Sequence, residues 1–162
     1  MEGRKMTKHV LIAFDDSDNA MRAVDFVGAH LSIDCRITLF SVLPDTESLC
    51  SMQSPELTPY FLEQQTVFCI LEEKRKEVLH AAQRQARDCL ANCGFPADLI
   101  TMKSSKREKG IARDIIHEAD NGGYDLVVLG KKGHSAIKDF FMGSVSQKVL
   151  NGVKKASVLL VD

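Results

Sequence analysis

The sequence has almost no excess charge of either sign. Lys and Arg number 21 and Asp and Glu number 22, which gives a formal net charge of −1 at pH 7. A chain this balanced has no general electrostatic attraction to nucleic acids or to acidic membrane surfaces. It also lacks any apolar run near the roughly 20 residues of a membrane-spanning helix, and residues 1–8 contain no apolar signal-peptide region. We therefore predict a cytoplasmic protein with neither nucleic-acid nor membrane partners.

The cysteines lack the paired spacing of a metal site. No Cys-x2-Cys pair occurs among the five cysteines, which are Cys35, Cys50, Cys69, Cys89 and Cys93. Two of them are four residues apart on a predicted helix, but no histidine at a suitable spacing completes a ligand set. We predict no metal site, and five reduced thiols that act as small apolar residues.

The common phosphate-binding loops are also missing. Neither Gly-x4-Gly-Lys-Ser/Thr nor Gly-x-Gly-x2-Gly occurs, so a Walker loop and an NAD or FAD fingerprint have no support.

A different glycine loop is present. Gly130, Gly133, Gly143 and Ser144 follow the apolar run 124–129 with the spacing Gly-x2-Gly-x9-Gly-Ser. A glycine-rich loop between a strand and a helix can hold phosphates on backbone N–H groups.

Apolar runs alternate with helical patterns along the chain. The length suits one domain, 1–162, with a polar extension at 1–8 and an insertion loop at 45–65. We predict helices at 19–31, 66–92, 110–119 and 144–151, and strands at 9–14, 36–43, 97–102, 124–129 and 157–161. This order predicts an open, doubly wound, five-stranded and mainly parallel α/β sheet with helices on both faces, of the Rossmann-like, adenine-nucleotide-binding type.

Three candidate residues lie at or just after the carboxyl ends of predicted strands. Asp15 comes after the first strand, Val42 lies near the end of the second, and Gly130 comes after the fourth. Ligands of open α/β sheets bind beyond this edge, where the direction of winding reverses. Glycine allows close approach of the backbone, and the N-terminus of a helix attracts anions. We expect these residues to lie together around a bound ligand.

These motifs together resemble those of the universal stress protein family, in its ATP-binding branch. The similarity covers nearly the whole chain, from the first strand with Asp15 and Ser17 and the second strand ending near Val42 to the closing Val-Leu-Leu-Val of 158–161. Between them it includes 110–116 (Gly-Ile-Ala-Arg-Asp-Ile-Ile), 124–130 (Tyr-Asp-Leu-Val-Val-Leu-Gly), the glycine loop and 143–146 (Gly-Ser-Val-Ser). In that family the glycine–serine spacing separates members that bind ATP from those that do not. Residues 45–65 and the first eight residues fall outside the recognisable pattern.

The resemblance implies a site and a function. The backbone of Val42 is expected to contact adenine, Asp15 the ribose, and the start of the last helix the phosphates of ATP, with Mg²⁺ or Mn²⁺. The implied binding residues are Ala13, Asp15, Val42, Leu129, Gly130, Gly133, Gly143, Ser144, Val145 and Ser146. The implied function is a nucleotide-dependent switch or regulator in stress response, with an unidentified protein partner. A homodimer is implied through the last strand, which is predicted to lie at the sheet edge and has no charged residue or proline to prevent pairing.

Other interpretations of these residues stay open. The protein is alternatively a slow ATPase, although no general base or arginine finger is evident for phosphoryl transfer. A phospho-receiver domain would need an aspartate at the end of the third strand, where Met102 stands. Taken singly, Asp15 is also explained as a turn residue and Ser144 as an ordinary helix N-cap. Lys131 and Lys132 are explained as solvated loop residues.

Overall fold

Five parallel strands form one sheet in the computed structural model, which describes residues 8–52, 58–132 and 142–162. The strands are β1 (His9–Ala13), β2 (Arg36–Leu43), β3 (Ile100–Lys106), β4 (Leu126–Gly130) and β5 (Ser157–Val161). Their order is β3-β2-β1-β4-β5, and every neighbouring pair is parallel. The predicted fold class is confirmed, and β5 lies at the sheet edge as expected.

Helices cover both faces of the sheet. They are α1 (Asp18–His30), α2 (Glu47–Cys50), α3 (Pro59–Asn92), α4 (Ile111–Asn121) and α5 (Ser144–Gly152), with a 3₁₀ turn at Ala97–Leu99. The helices α1 and α3 pack with one apolar core, and α4 and α5 pack with a second core on the opposite face. Because the central strands are covered on both sides, they are continuous apolar runs rather than alternating ones.

The strand β3 differs from its prediction at both ends. Residues 97–99 form the 3₁₀ turn, and β3 continues to Lys106, four residues beyond its predicted end at 102. Ser104 and Lys106 pair with Ser41 and Leu43 of β2. An edge strand exposes much of its surface to water, so polar side chains are tolerated there and hydropathy underestimates its length.

The helix α3 begins at Pro59, earlier than its predicted start at 66. Thr58 is the N-cap, because its Oγ1 accepts a hydrogen bond from the Phe61 N–H at 3.3 Å, and proline suits the first helical turn. The first two turns lack a buried periodic face: Tyr60 is 72% exposed and Leu62 is 43% exposed. Periodicity therefore missed this start, although the Thr-Pro pair signals it. Residues 53–57 of the predicted insertion loop lie outside the described residues.

The prediction that all five cysteines are reduced is wrong for two of them. Cys50 and Cys69 form a disulfide with a Cα–Cα distance of 5.9 Å, while Cys35, Cys89 and Cys93 are free. The pairing arises because α2 packs against α3, where the Gln65 side-chain amide donates to the carbonyls of Leu49 and Met52. The sequence analysis predicted a loop at 45–65, so it did not predict that α2 would place Cys50 beside Cys69 of α3.

Candidate functional site

The carboxyl ends of β1, β2 and β4 meet at one place on the sheet. The central strand β1 pairs with β2 through Ala13 and Phe40, and with β4 through Ile12 and Val128. The chain leaves β1 towards β2 but enters β4 on its other side, so this is the point where winding reverses. Four of the predicted residues lie at these ends, namely Ala13, Val42, Leu129 and Gly130. Ala13 and Leu129 are buried, whereas Val42 is half-buried.

Asp15 follows β1 and fixes the start of α1. Its Oδ1 accepts hydrogen bonds from the Ser17 N–H at 3.1 Å and from the Ser17 hydroxyl. Ser17 in turn caps α1, because its Oγ accepts from the Ala20 N–H at 3.2 Å. Within the described residues, the Asp15 Oδ2 atom accepts no hydrogen bond. One carboxylate oxygen therefore has the turn role that the sequence also allowed, and the other is not used in that turn.

Gly130 is required by close packing between β4 and α1. A Cβ atom at this position would lie 2.7 Å from the carbonyl oxygen of Asn19 in the first turn of α1. The Gly130 carbonyl also accepts a hydrogen bond from the Ser146 hydroxyl at 2.8 Å. The end of β4 is thus held between the first turns of α1 and α5.

The loop after β4 is closed at its base. The Lys131 carbonyl accepts from the Gly143 N–H at 2.9 Å, and the Lys131 N–H donates to the Val161 carbonyl at 2.7 Å. The Lys131 ammonium donates to Asp162 at 3.0 Å and lowers the pKa of that carboxyl. This lysine is therefore paired with the end of β5 rather than directed at a ligand. The predicted residue Gly133 lies outside the described residues.

The first turn of α5 has backbone donors but no side-chain cap. Gly143 is the N-cap residue, and no side chain makes a capping hydrogen bond there. The interpretation of Ser144 as an N-cap is therefore wrong, because Ser144 is the first helical residue and is exposed. The N–H groups of the first turn have no partner within a helix and favour an anion. Ser146 is only 4% exposed and directs its hydroxyl to Gly130, which leaves its N–H as the group able to meet a phosphate.

A large groove in the described residues lies away from the strand ends. It has a volume of about 960 Å³ and runs between α4 and α5, past Arg113, Ile116, Lys148 and Asn151. Of the predicted binding residues only Val145 lines it, and Ala13, Asp15 and Val42 do not. We assign the candidate site to the strand ends, because most of the predicted residues lie there and not in this groove.

Two polar residues near the site were missed by the sequence interpretation. Ser41 lies on β2 and Gln83 on α3, and both are almost completely buried. The Gln83 Nε2 atom donates to the Ser41 Oγ at 2.8 Å. Gln83 is in phase with Leu79, Ala86 and Leu90, which form the buried face of α3. The signal that the sequence offered was a polar residue at 83 in phase with the apolar residues at 79, 86 and 90.

The described residues were compared with the geometry of metal sites and of membrane-spanning helices. They contain no group of three or more His, Cys, Asp or Glu side chains placed to hold a metal ion. None of the helices in these residues is long and apolar enough to cross a membrane.

Sequence comparison identifies the family. A model described as "Universal stress protein family" matches residues 6–162. The chain belongs to the universal stress protein family. It is 28% identical over 144 residues to "Universal stress protein YxiE" of Bacillus subtilis, a match that covers 89% of this chain and 92% of that protein. Membership agrees with the resemblance drawn from the glycine loop and the strand ends.

Solved structures of universal stress proteins share the fold. One, in complex with cAMP, has a TM-score of 0.62 and 23% identity, and the match covers 96% of this chain and 97% of that one. Another, from Archaeoglobus fulgidus in complex with dAMP, has a TM-score of 0.53 and 18% identity, with 96% and 98% covered. At these identities the likeness establishes a common architecture.

Proposed function

We propose that this universal stress protein binds ATP at the carboxyl ends of β1, β2 and β4, and acts as a nucleotide-dependent switch or regulator in stress response. The observation that carries the proposal is the uncapped first turn of α5, held beside the strand ends by the bond from Ser146 to Gly130. Backbone N–H groups at a helix N-terminus suit phosphates. The adenine nucleotides cAMP and dAMP bound by two structural neighbours support the ligand class.

Each part of the nucleotide has a partner in the proposed site. The Val42 backbone meets adenine, and the Oδ2 atom of Asp15 accepts from a ribose hydroxyl. Phosphates lie at the first turn of α5, with Gly133 in the adjoining loop, and Mg²⁺ or Mn²⁺ offsets their charge. The walls are formed by Ala13, Leu129 and Gly130, the last of which lets β4 approach closely. We place this binding in the cytoplasm.

A single added charge tests the phosphate position. Ser144→Asp places a carboxylate at the first residue of α5, where it stabilises the helix but repels phosphates. We expect ATP affinity, measured by isothermal titration calorimetry with Mg²⁺, to fall by about tenfold or more, which corresponds to ~1.4 kcal/mol. The unfolding midpoint should stay unchanged or rise, which separates lost binding from lost stability.

A matched variant controls for the charge itself. Asn151→Asp adds the same charge near the other end of α5, at an exposed residue outside the proposed phosphate position. Its ATP affinity should stay within about threefold of wild type, because exposed charges a Debye length apart are largely screened. Equal losses in both variants, or none in Ser144→Asp, would refute this placement of the phosphates.

A further inference from the structure

A buried chain of hydrogen bonds joins α3 to the ends of β1 and β2. Gln83, which is 2% exposed, donates from Nε2 to the Ser41 Oγ at 2.8 Å. Ser41, which is 1% exposed, donates its hydroxyl proton to the Phe14 carbonyl at 2.7 Å. Phe14 lies between Ala13 and Asp15, and Ser41 immediately precedes Val42. The chain of bonds therefore ends between the two strand ends that form the proposed site.

The Ser41 hydroxyl takes an acceptor that the sheet would otherwise use. The Phe14 N–H donates to the Phe40 carbonyl at 2.8 Å, as in a regular parallel ladder. The next bond of that ladder would run from the Val42 N–H to the Phe14 carbonyl. The β1–β2 pairing instead ends at Ala13 and Phe40. Among the described residues, the Val42 N–H has no hydrogen-bond acceptor.

We infer that Ser41 and Gln83 are positioning residues that keep the Val42 N–H available to a nucleotide base. The inference rests on the proposed function, since it concerns the same site. Ser41 satisfies the Phe14 carbonyl, and Gln83 fixes the direction of the Ser41 hydroxyl by occupying its oxygen as an acceptor. Because Val42 is half-buried and its N–H has no acceptor among the described residues, the position favours a ligand that supplies one.

This arrangement predicts which bases are accepted. Adenine has an unprotonated N1 that can accept a hydrogen bond from the Val42 N–H. Hypoxanthine and guanine carry a hydrogen at N1, so two donors would face each other, and such a mismatch leaves the protein donor unpaired. The site is therefore expected to prefer ATP over ITP, and this preference depends on Ser41 although its side chain does not touch the base.

The substitution Ser41→Ala tests the inference. It removes the donor to Phe14, so the Val42 N–H is expected to turn to the vacated carbonyl and continue the ladder. Measured by calorimetry, ATP affinity should fall about tenfold, the factor for roughly one neutral hydrogen bond. ITP affinity should change little, so the ratio of ATP affinity to ITP affinity should fall by about the same factor. A merely destabilised site would lose both nucleotides equally, and that result would overturn the inference, as would unchanged ATP affinity.

Two further variants keep the test specific. Ser104→Ala is a matched control, because Ser104 is the β3 residue paired with Ser41 and also contacts Gln83, at 3.4 Å. It has no contact with Phe14, so the ATP-to-ITP ratio should stay at the wild-type value. Gln83→Met keeps the length of the side chain but removes its donor, and should shift the ratio in the same direction as Ser41→Ala. A changed ATP-to-ITP ratio in Ser104→Ala, or an unchanged ratio in Gln83→Met, would count against the positioning role of Ser41 and Gln83.

Amide hydrogen exchange at Val42, measured by NMR without nucleotide, separates the two proposals. The Val42 amide should exchange rapidly in wild type and become protected in Ser41→Ala. If wild type binds neither nucleotide, the proposed function fails, while the exchange comparison still decides whether Ser41 releases this N–H. Equal protection of Val42 in both proteins would overturn the inference whatever binds.

Discussion

Serine hydroxyls near the strand ends satisfy backbone groups rather than pointing at a ligand. Ser41 donates to Phe14 and Ser146 donates to Gly130, while Ser17 caps α1. Strand ends and glycine spacing predicted that Asp15, Val42 and Gly130 lie together, and the structure places them at or next to the carboxyl ends of the paired strands β1, β2 and β4. The Ser41–Gln83 pair was not predictable, because these residues are 42 positions apart and meet only through packing of α3 on the sheet.

The histidine at the start of β1 predicts a pH dependence of stability. Burial, followed by the nearby Arg36 charge, lowers the pKa of His9 below its ordinary value of 6.5. Its ring lies 4.2 Å from the Tyr124 ring and contacts the Thr38 hydroxyl at 3.0 Å. Since the unfolded chain binds this proton more readily, the stability contributed by neutral His9 is present above pH 6.5 and is lost as pH falls below it.

We therefore expect the urea midpoint to fall between pH 7.5 and pH 5.5. Carboxyl groups with an ordinary pKa of 3.8, such as Asp120 and Asp162, titrate below this window, and their lowered pKa values move them further from it. His9→Gln keeps a hydrogen-bonding side chain but cannot titrate, so its midpoint should depend less on pH. Identical pH dependence in wild type and variant would show that His9 has no such role.

The elements differ in how well their periodicity revealed them. The strand β2 has the predicted bounds, and β1, α1 and α5 agree within one or two residues, because each has one clear apolar pattern. The first two turns of α3, residues 59–65, were missed because Tyr60, Phe61 and Leu62 are exposed rather than arranged on a buried face. The short helix α2 was missed because it is held by Gln65 and a disulfide, which are tertiary contacts.

The edge strand β5 carries the dimer prediction. Ser157 donates to Asp125, and Val161 accepts from Lys131, so the backbone groups of these residues face β4. By alternation, the N–H groups of Val158 and Leu160 face outward and can pair with a second copy. Leu160→Pro removes an outward donor, and proline is tolerated on a sheet edge. We expect light scattering to give a dimer mass for wild type and a monomer mass for this variant.

Leu160→Ala controls for the lost side chain, which packs against the second core. This variant keeps the outward N–H and should remain a dimer. A monomeric wild type at micromolar concentration, or a Leu160→Pro variant that stays dimeric, would show that β5 is not the pairing surface.

At the scale of the whole molecule, topology places the candidate site. Alternating strands and helices predicted the parallel sheet, and the order β3-β2-β1-β4-β5 puts the reversal of winding beside β1. The sequence did not predict the groove between α4 and α5, since it depends on how Ile116 and Gly152 pack across the two helices. This groove is separate from the strand ends, where we propose that the nucleotide binds.

Amide hydrogen exchange across the chain, with and without saturating ATP and Mg²⁺, tests this assignment most directly. We predict that ATP slows exchange at Val42 and in the first turn of α5, from Ser144 to Ser146. Exchange at the start of α4, around Arg113, and at Asn151 should be unaffected. Protection confined to the α4–α5 groove, or no protection anywhere, would contradict the account.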